Sequence, residues 1–331
     1  MKILLLYNGY PRVSQTYQID EANELNKNHQ LKIYSWNWDI FFASEDALSY
    51  VFKNPLNDLQ TIKEFNPDLI IAHYLINIEL CVSLSNVINK PFIIRTHSFD
   101  ILEDVKSLSK YKKYVDSPYC KKILCFPFFK SLLENSGFDK TKLYPVYPSI
   151  NIERYWIDNG LIRTNSIMSG GALLPKKNIE DFIVLAYKIK KQYPEKTITY
   201  YSVPEHPFYY NKIMNLNKSY NFPVIFKTLQ QKDMPSEYKK HQWLIYGACN
   251  KLKTVGFPLM VTEAQASGVG VIMYDLFSYV KKEILNDVGY TYQTHEQVLD
   301  IIKNPFDEDK RQKGIELSSR YNIKNNIDVL F

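Results

Sequence analysis

Residues 68–97 read DLIIAHYLINIELCVSLSNVINKPFIIRTH, in which two short apolar runs flank a helical stretch. The runs at 68–74 and 91–97 predict buried strands, and residues 77–88 predict the helix between them. The same order of strand, helix and strand begins at KILLLY (2–7) and continues to KILCFP (122–127), with a polar and basic helix predicted near 103–115. Strands that alternate with helices favour a parallel sheet with helices on both of its faces.

A break in this alternation divides the chain. Residues 145–160 (PVYPSINIERYWIDNG) hold two prolines and a glycine without sustained periodicity, which is typical of a connection between domains. Strands and helices resume at SIMSGG (166–171). We therefore predict an N-terminal domain at 1–150, a linker at 151–165, a second α/β domain at 166–315 and a C-terminal helix at 316–331 that returns to the first domain. Such sheets bind ligands at the carboxyl ends of their strands, so the expected site is a cleft between the domains.

The composition is that of an ordinary folded protein. The chain has 331 residues, of which 45% are hydrophobic and 23% charged, which excludes a mini-protein and a disordered chain. Its net charge of +6 suits a phosphate-bearing ligand, an anionic membrane surface or nucleic acid, and is also common in proteins that bind none of these. The four cysteines form no Cys-x-x-Cys pair, which favours buried thiols over a metal site. The N-terminal apolar run is too short for a signal peptide, so we expect a cytoplasmic protein whose membrane contact is at most peripheral.

Five segments resemble the retaining GT-B glycosyltransferases of family four. Residues 256–275 (GFPLMVTEAQASGVGVIMYD) resemble the family's donor-binding segment, and residues 170–183 (GGALLPKKNIEDFI) resemble its phosphate loop. Residues 69–101 resemble the run that ends in a His-Gly-x-Asp turn, and residues 123–155 resemble the stretch that leaves the first domain. PRVSQTY (11–17) is similar to the start of members that act on bacterial exopolysaccharides. The resemblance spans nearly the whole chain and implies the GT-B fold, two Rossmann-like doubly wound parallel-sheet domains that face a cleft.

The resemblance also implies a donor site. Glu263 stands at the second glutamate of the family motif, which accepts hydrogen bonds from the donor ribose, and Lys177 at the lysine that neutralises the departing diphosphate. Cations and backbone N–H groups can stabilise that leaving group without a metal, so we expect no metal and no cofactor, only a UDP- or GDP-linked sugar as substrate. The expected donor-binding residues are Gly170, Gly171, Lys176, Lys177, Val255, Gly256, Phe257, Pro258, Leu259 and Glu263. The alternative interpretation is a solvated lysine pair and a glutamate that only stabilises its own helix.

On the acceptor side, His97 matches the family's histidine at the sugar, which makes His97, Lys177 and Glu263 the candidate catalytic residues. The acceptor-side candidates are Ser14, Thr16, His73 and Asp100. A histidine at the carboxyl end of a parallel strand is placed to bind a sugar hydroxyl. Both histidines also fit an ordinary buried core, and the two hydroxyl residues fit a turn or a helix cap.

The sequence departs from the family pattern at two positions. The first glutamate of the donor motif is Val255, and the arginine of the phosphate loop is Ala172. Loss of that arginine removes a cation from the leaving group. Lys176, Lys251 and Lys253 are candidate replacements.

The function that we predict is metal-independent transfer of a sugar, with retention, from a nucleotide sugar to a hydroxyl acceptor, a polysaccharide or a lipid-linked glycan. One alternative is a glycosyltransferase that modifies DNA bases, because residues 111–122 (YKKYVDSPYCKK) interleave tyrosine with lysine. The same cluster suits anionic lipid headgroups or a solvated helix face. A second alternative is a degenerate, non-catalytic subunit that supports a partner glycosyltransferase.

Overall fold

The computed structural model describes residues 1–36, 42–103, 105–148, 150–156, 165–203, 207–248, 256–276 and 281–331. The chain forms two compact units. Unit 1 comprises Met1–Asn151 and Tyr321–Phe331, and unit 2 comprises Ile152–Arg320. Val255, Lys251, Lys253 and the linker positions 157–164 lie outside the described residues. Within the described part of the chain, no helix is long and apolar enough to cross a membrane.

Unit 1 is built on a parallel sheet, with seven strands among its described residues, in the order β3-β2-β1-β4-β5-β6-β7. The run Ile3–Leu6 in the sheet centre is fully buried, because helices on both faces leave no side of a central parallel strand in water. The strands are β1 (Lys2–Tyr7), β2 (Gln30–Ser35), β3 (Val51–Phe52), β4 (Leu69–His73), β5 (Phe92–Arg95), β6 (Cys120–Cys125) and β7 (Leu143–Pro145).

The helices of unit 1 connect these strands. They are α1 (Thr16–Asn26), α2 (Leu59–Phe65), α3 (Ile78–Ile88), α4 (Ser98–Leu102), α5 (Lys112–Val115) and α6 (Lys130–Asn135), together with a short helix, Ile323–Asn326, near the C-terminus. The end of the chain is fastened to the sheet of unit 1, since the Lys122 ammonium donates to the carbonyl oxygens of Val329 (2.9 Å) and Phe331 (3.0 Å).

The helix predicted near 103–115 is not one continuous α-helix. The described residues there form a 3-10 segment, Val105–Tyr111, and then the single turn of α5. The run carries lysines at 106, 110, 112 and 113, and only Leu108 and Val115 are buried. Closely spaced like charges oppose a helix, and two buried side chains supply little packing to offset this.

Unit 2 repeats the architecture with a parallel sheet, whose described strands follow the order β10-β9-β8-β11-β12-β13. Strand β8 lies beside β9 and β11, so its carboxyl end is in the middle of the sheet edge. The strands are β8 (Ser166–Ala172), β9 (Thr197–Val203), β10 (Ile225–Lys227), β11 (Trp243–Tyr246), β12 (Gly270–Tyr274) and β13 (Tyr290–Tyr292).

The helices of unit 2 are α7 (Glu153–Trp156), α8 (Ile179–Gln192), α9 (Pro207–Ser219), α10 (Met234–Lys240), α11 (Leu259–Ala266), α12 (His295–Ile301) and α13 (Glu308–Ser318); the helix Ile323–Asn326 of unit 1 is α14. The apolar face of α8 packs into a core with Trp243 and Ile272 from the central strands. The predicted α/β class with two parallel sheets is confirmed.

Candidate functional site

Strand β8 holds two glycines directly before its last residue, Ala172, and the local packing requires both of them. A Cβ on Gly170 would lie 2.6 Å from the carbonyl oxygen of Tyr201 and 2.8 Å from the methyl group of Met260 on α11. Gly171 has φ +122°, which favours glycine, and a Cβ there would lie 3.2 Å from Lys177 Cε. The glycine pair therefore lets strand β9, helix α11 and Lys177 all approach the end of β8.

Lys177 is held at this edge by a tyrosine of the neighbouring strand. Its ammonium donates to the Tyr246 hydroxyl (2.8 Å) and lies 5.0 Å from the centre of the Tyr246 ring. Burial raises the pKa of Tyr246, so the phenol stays neutral and accepts this hydrogen bond. Lys176 precedes Lys177 in the 3-10 turn Pro175–Lys177, which leads directly into α8. The strand, turn and helix thus bring two lysines next to a helix N-terminus, an arrangement that suits phosphate.

Glu263 lies on α11 and is only 7% exposed. Its Oε2 accepts a hydrogen bond from the hydroxyl of Tyr238 on α10 (2.8 Å). Burial raises the pKa of Tyr238 well above its usual value, and the charge of Glu263 adds to this rise, so Tyr238 acts as a donor. Tyr155 packs edge-on against the Tyr238 ring, with centroids 5.6 Å apart. A carboxylate accepts several hydrogen bonds, so the bond to Tyr238 orients Glu263 without using all its capacity.

The segment before α11 is largely buried. Gly256, Phe257 and Pro258 are buried, and Leu259, where the helix begins, is half-buried. Helix α11 meets the glycine pair of β8 where the Met260 methyl group packs against Gly170. Ala172, the position at which the sequence resemblance leads one to expect arginine, is buried at the end of β8.

In unit 1, buried polar side chains converge at the carboxyl ends of β4 and β5. Glu21, on α1, contacts His73 through Oε1 (2.7 Å to Nε2) and Arg95 through Oε2 (2.9 Å). The other ring nitrogen of His73, Nδ1, lies 3.1 Å from Nε2 of His97. Arg95, His73, Glu21 and His97 thus form one connected network, and His73 is fully buried within it.

The charges in this network are settled by burial and by the ion pair. Burial alone would raise the pKa of Glu21, but Arg95 and His73 outweigh it and hold that pKa at about 2. Burial lowers the pKa of His73. Burial, the neighbouring His73 and Arg95 lower the pKa of His97 well below its usual value. At neutral pH the network therefore contains one carboxylate, one guanidinium and two neutral imidazoles.

Aromatic rings surround His97. The ring centroids of Tyr17 and Tyr74 lie 4.7 and 4.4 Å from that of His97, and the two tyrosine hydroxyls are 2.7 Å apart. His97 and Asp100 form a capping box at the start of α4, in which the Asp100 carboxylate accepts the His97 backbone N–H (2.7 Å). Asp100 also accepts the backbone N–H of Leu75. Burial raises the pKa of Asp100 to about 7, against the effect of these backbone bonds.

Ser14 and Thr16 stand on either side of Gln15, at the start of α1. Both are half-buried, and the helix begins at Thr16 after Gln15. The Gln15 side chain donates to the Tyr74 hydroxyl (3.1 Å) and does not cap the helix. His97 and the four acceptor-side candidates thus all belong to unit 1.

Comparisons with known proteins bear on the fold. No protein-family model matches the chain, and a search of curated proteins found no match. Among solved structures, HepE from Anabaena in complex with UDP-glucose has a TM-score of 0.75 at 14% identity, over 100% of this chain and 98% of HepE. Sucrose-phosphate synthase from Thermosynechococcus elongatus has a TM-score of 0.70 at 15% identity, over 99% of this chain and 97% of the synthase. A glycosyltransferase from Rickettsia africae has a TM-score of 0.70 at 13% identity, over 99% and 96%.

The chain has the GT-B fold. This confirms the predicted fold class, and at these identities the likeness concerns the fold alone.

Sequence analysis missed the side chains that support the candidate groups of this GT-B chain. They are Glu21, Arg95, Tyr17, Tyr74, Tyr238 and Tyr246. A signal existed for Arg95, because an arginine within the apolar strand FIIR must be paired if it is buried. Its partner Glu21 lies on helix α1, far from Arg95 in the sequence, so no local sequence pattern identifies the pair.

Proposed function

We propose that this protein is a glycosyltransferase that moves a sugar, with retention and without a metal, from a UDP- or GDP-linked donor to a hydroxyl acceptor. The observation that carries the proposal is the edge of the sheet in unit 2. There, β8 supplies a glycine pair that permits close backbone approach, and the turn Pro175–Lys177 that follows β8 supplies a lysine held by Tyr246. Helix α11, which approaches Gly170 through Met260, supplies a buried glutamate held by Tyr238. HepE, of the same fold, has been crystallised with UDP and with UDP-glucose.

The proposed roles follow from the charge that develops in the reaction. When the bond between sugar and phosphate breaks, negative charge accumulates on the diphosphate. Lys177, with Lys176 beside it and the N-terminus of α8 following, stabilises this charge. Glu263 accepts hydrogen bonds from the ribose hydroxyls and so holds the donor in register with Lys177.

In unit 1, we assign the acceptor side to the residues around His97. His73 is fully buried with both ring nitrogens within hydrogen-bond distance of partners, so its proposed role is to support His97 rather than to touch substrate. Asp100 caps the helix that follows His97, and Ser14 and Thr16 contribute hydroxyls nearby. A polysaccharide or lipid-linked glycan is the proposed acceptor. Contact with a membrane face would involve the lysines of residues 111–122, in keeping with a protein that works on the cytoplasmic side.

The donor site is tested by nucleotide binding and donor hydrolysis. We expect UDP or GDP to raise the melting temperature of the purified protein, and we expect slow release of sugar from the matching nucleotide sugar. Glu263→Ala should abolish the thermal shift. Lys177→Met should lower the hydrolysis rate on the order of 10²–10³-fold, because it removes a positioned cation from the leaving group.

Matched controls are Glu195→Ala and Lys218→Met, two exposed positions of unit 2 that make the same changes of charge. Both should bind and hydrolyse like the wild type. If no nucleoside diphosphate shifts the melting temperature, the donor site does not exist. If nucleotide binds but no nucleotide sugar is hydrolysed or transferred, the chain is a non-catalytic subunit and the enzymatic proposal fails.

A further inference from the structure

We propose that Glu21 is a positioning residue that acts through His73 to fix the tautomer and orientation of His97. The inference deepens the proposed function, on which the substrate-facing role of His97 rests. Glu21, His73 and His97 form a hydrogen-bonded line, Glu21 Oε1 to His73 Nε2 (2.7 Å) and His73 Nδ1 to His97 Nε2 (3.1 Å). All three are at least nine-tenths buried, so water does not compete for these bonds.

The direction of each hydrogen bond follows from the groups at the ends of the line. An ionised carboxylate only accepts, so His73 must carry its proton on Nε2. A neutral His73 then has an unprotonated Nδ1, which accepts from His97 Nε2–H. A neutral His97 is left with Nδ1 as its acceptor. The capping box at α4 agrees independently, because the His97 ring is the accepting partner of the Asp100 backbone N–H there.

Arg95 decides between positioning and proton relay. Its guanidinium lies 2.9 Å from the second oxygen of Glu21 and keeps the carboxylate ionised. A proton that reached Glu21 along the line would have to displace this ion pair. Glu21 therefore orients the two histidines and does not take up a proton. The buried carboxylate beside the catalytic histidine of serine proteases likewise orients the ring without becoming protonated.

The test is Glu21→Gln, which keeps the shape but changes the donors. Arg95 only donates, so it selects the amide oxygen and leaves the amide NH₂ facing His73 Nε2. His73 must then accept at Nε2 and donate from Nδ1, and His97 must accept at Nε2 and carry its proton on Nδ1. The reversed His97 ring would direct an N–H at the Asp100 backbone N–H and break the cap of α4.

The direct readout is the ¹⁵N NMR spectrum of the full chain labelled in histidine, in which protonated and unprotonated ring nitrogens are resolved. His73→Gln and His97→Gln variants assign the two rings. In the wild type we expect Nε2–H for both, and in Glu21→Gln we expect Nδ1–H for both. Donor turnover in the presence of acceptor should fall about 10–100-fold, by analogy with the loss seen when the partner that orients a metal-binding histidine is removed, with little change in nucleotide affinity.

Glu24→Gln is the matched control, on the same helix and paired with exposed Lys27; it should leave tautomers and turnover unchanged. The proposal is overturned if wild-type His73 or His97 carries its proton on Nδ1, a measurement that needs no variant to fold. It is also overturned if Glu21→Gln keeps the wild-type tautomers, or reverses them with turnover unchanged. If the tautomers reverse as expected but the wild type transfers no sugar, the positioning by Glu21 stands and the proposed function fails.

Discussion

Gly170→Ala tests how closely the end of β8 packs against helix α11. The added Cβ would lie 2.6 Å from the Tyr201 carbonyl oxygen, 3.2 Å from the Tyr201 Cβ and 2.8 Å from the Met260 methyl group. The methyl group of Met260 can swing aside, but the Tyr201 carbonyl belongs to the paired strand β9 and cannot move without distorting the sheet. Overpacking of this kind costs about 1–3 kcal/mol.

Gly314→Ala is the matched control in the same unit. A Cβ there would meet its nearest neighbours, Gln265 and Val288, at 3.8–3.9 Å, which is ordinary contact. Gly314 lies inside α13, where alanine is favoured over glycine by about 0.5–1 kcal/mol. The two substitutions add the same methyl group and should change stability in opposite directions.

The assay is urea unfolding of the full chain, followed by tryptophan fluorescence and circular dichroism, with the shift of the transition midpoint compared between variants. We expect Gly170→Ala to unfold at lower urea than the wild type, and Gly314→Ala at the same or higher urea. Met260 precedes Glu263 by about one turn of α11, so Gly170→Ala should also weaken UDP or GDP binding. If Gly170→Ala has the same urea midpoint as the wild type, β8 and α11 are not packed as described.

Two further predictions concern the buried partners of the candidate residues. Tyr238→Phe removes the hydrogen bond to Glu263 (2.8 Å) and should destabilise unit 2 by about 1.5–3 kcal/mol and weaken nucleotide binding. Tyr187→Phe, at a half-buried position of α8 whose ring contacts the substitution keeps, should do neither, as measured by urea unfolding and thermal shift. The pKa of Glu21 is about 2, against an ordinary value of 4.5. Ionised Glu21 therefore stabilises unit 1 by about 3 kcal/mol above pH 4.5, and this stabilisation is lost as the pH falls from 4.5 through 2. The free energy of unfolding should therefore fall less steeply at acid pH in Glu21→Gln than in the wild type. If its pH dependence below pH 4.5 is the same in both proteins, the ion pair of Glu21 with Arg95 is contradicted.

The fold could be predicted because its strands are short, apolar and evenly separated. KILLLY and DLIIAHY are buried on both faces, so their sequences carry no alternation, and each is followed by helical residues. That pattern lies within a few consecutive residues, so the sequence alone predicts these strands. The helix predicted near 103–115 is divided into a 3-10 segment and one α turn, because closely spaced lysines and few buried side chains give a long α-helix little support.

The candidate site was predictable only in part. His97 and Glu263 were identified from motifs that each span a few tens of residues. Glu21 and Tyr238 were not identified, because each belongs to a helix that is distant in sequence from the residue that it orients. Nothing in the sequence near Tyr238 distinguishes it from the other 25 tyrosines of the chain. Its role follows from burial and from one distance, which only the folded chain defines.

The same device recurs in both units: a polar group at the carboxyl end of a parallel sheet is oriented by a buried partner from another element. Tyr246 holds Lys177, Tyr238 holds Glu263, and Glu21 holds His97 through His73. A buried polar group is costly unless its hydrogen bonds are complete, so these partners cannot be exchanged independently of the groups they hold. The alanine at position 172, where the resembled motif has arginine, must accordingly be judged together with the side chains that hold Lys177. Where Lys177 is fixed by both a hydrogen bond and a ring face, its charge is already positioned before any diphosphate binds, and a positioned cation contributes more than a mobile one.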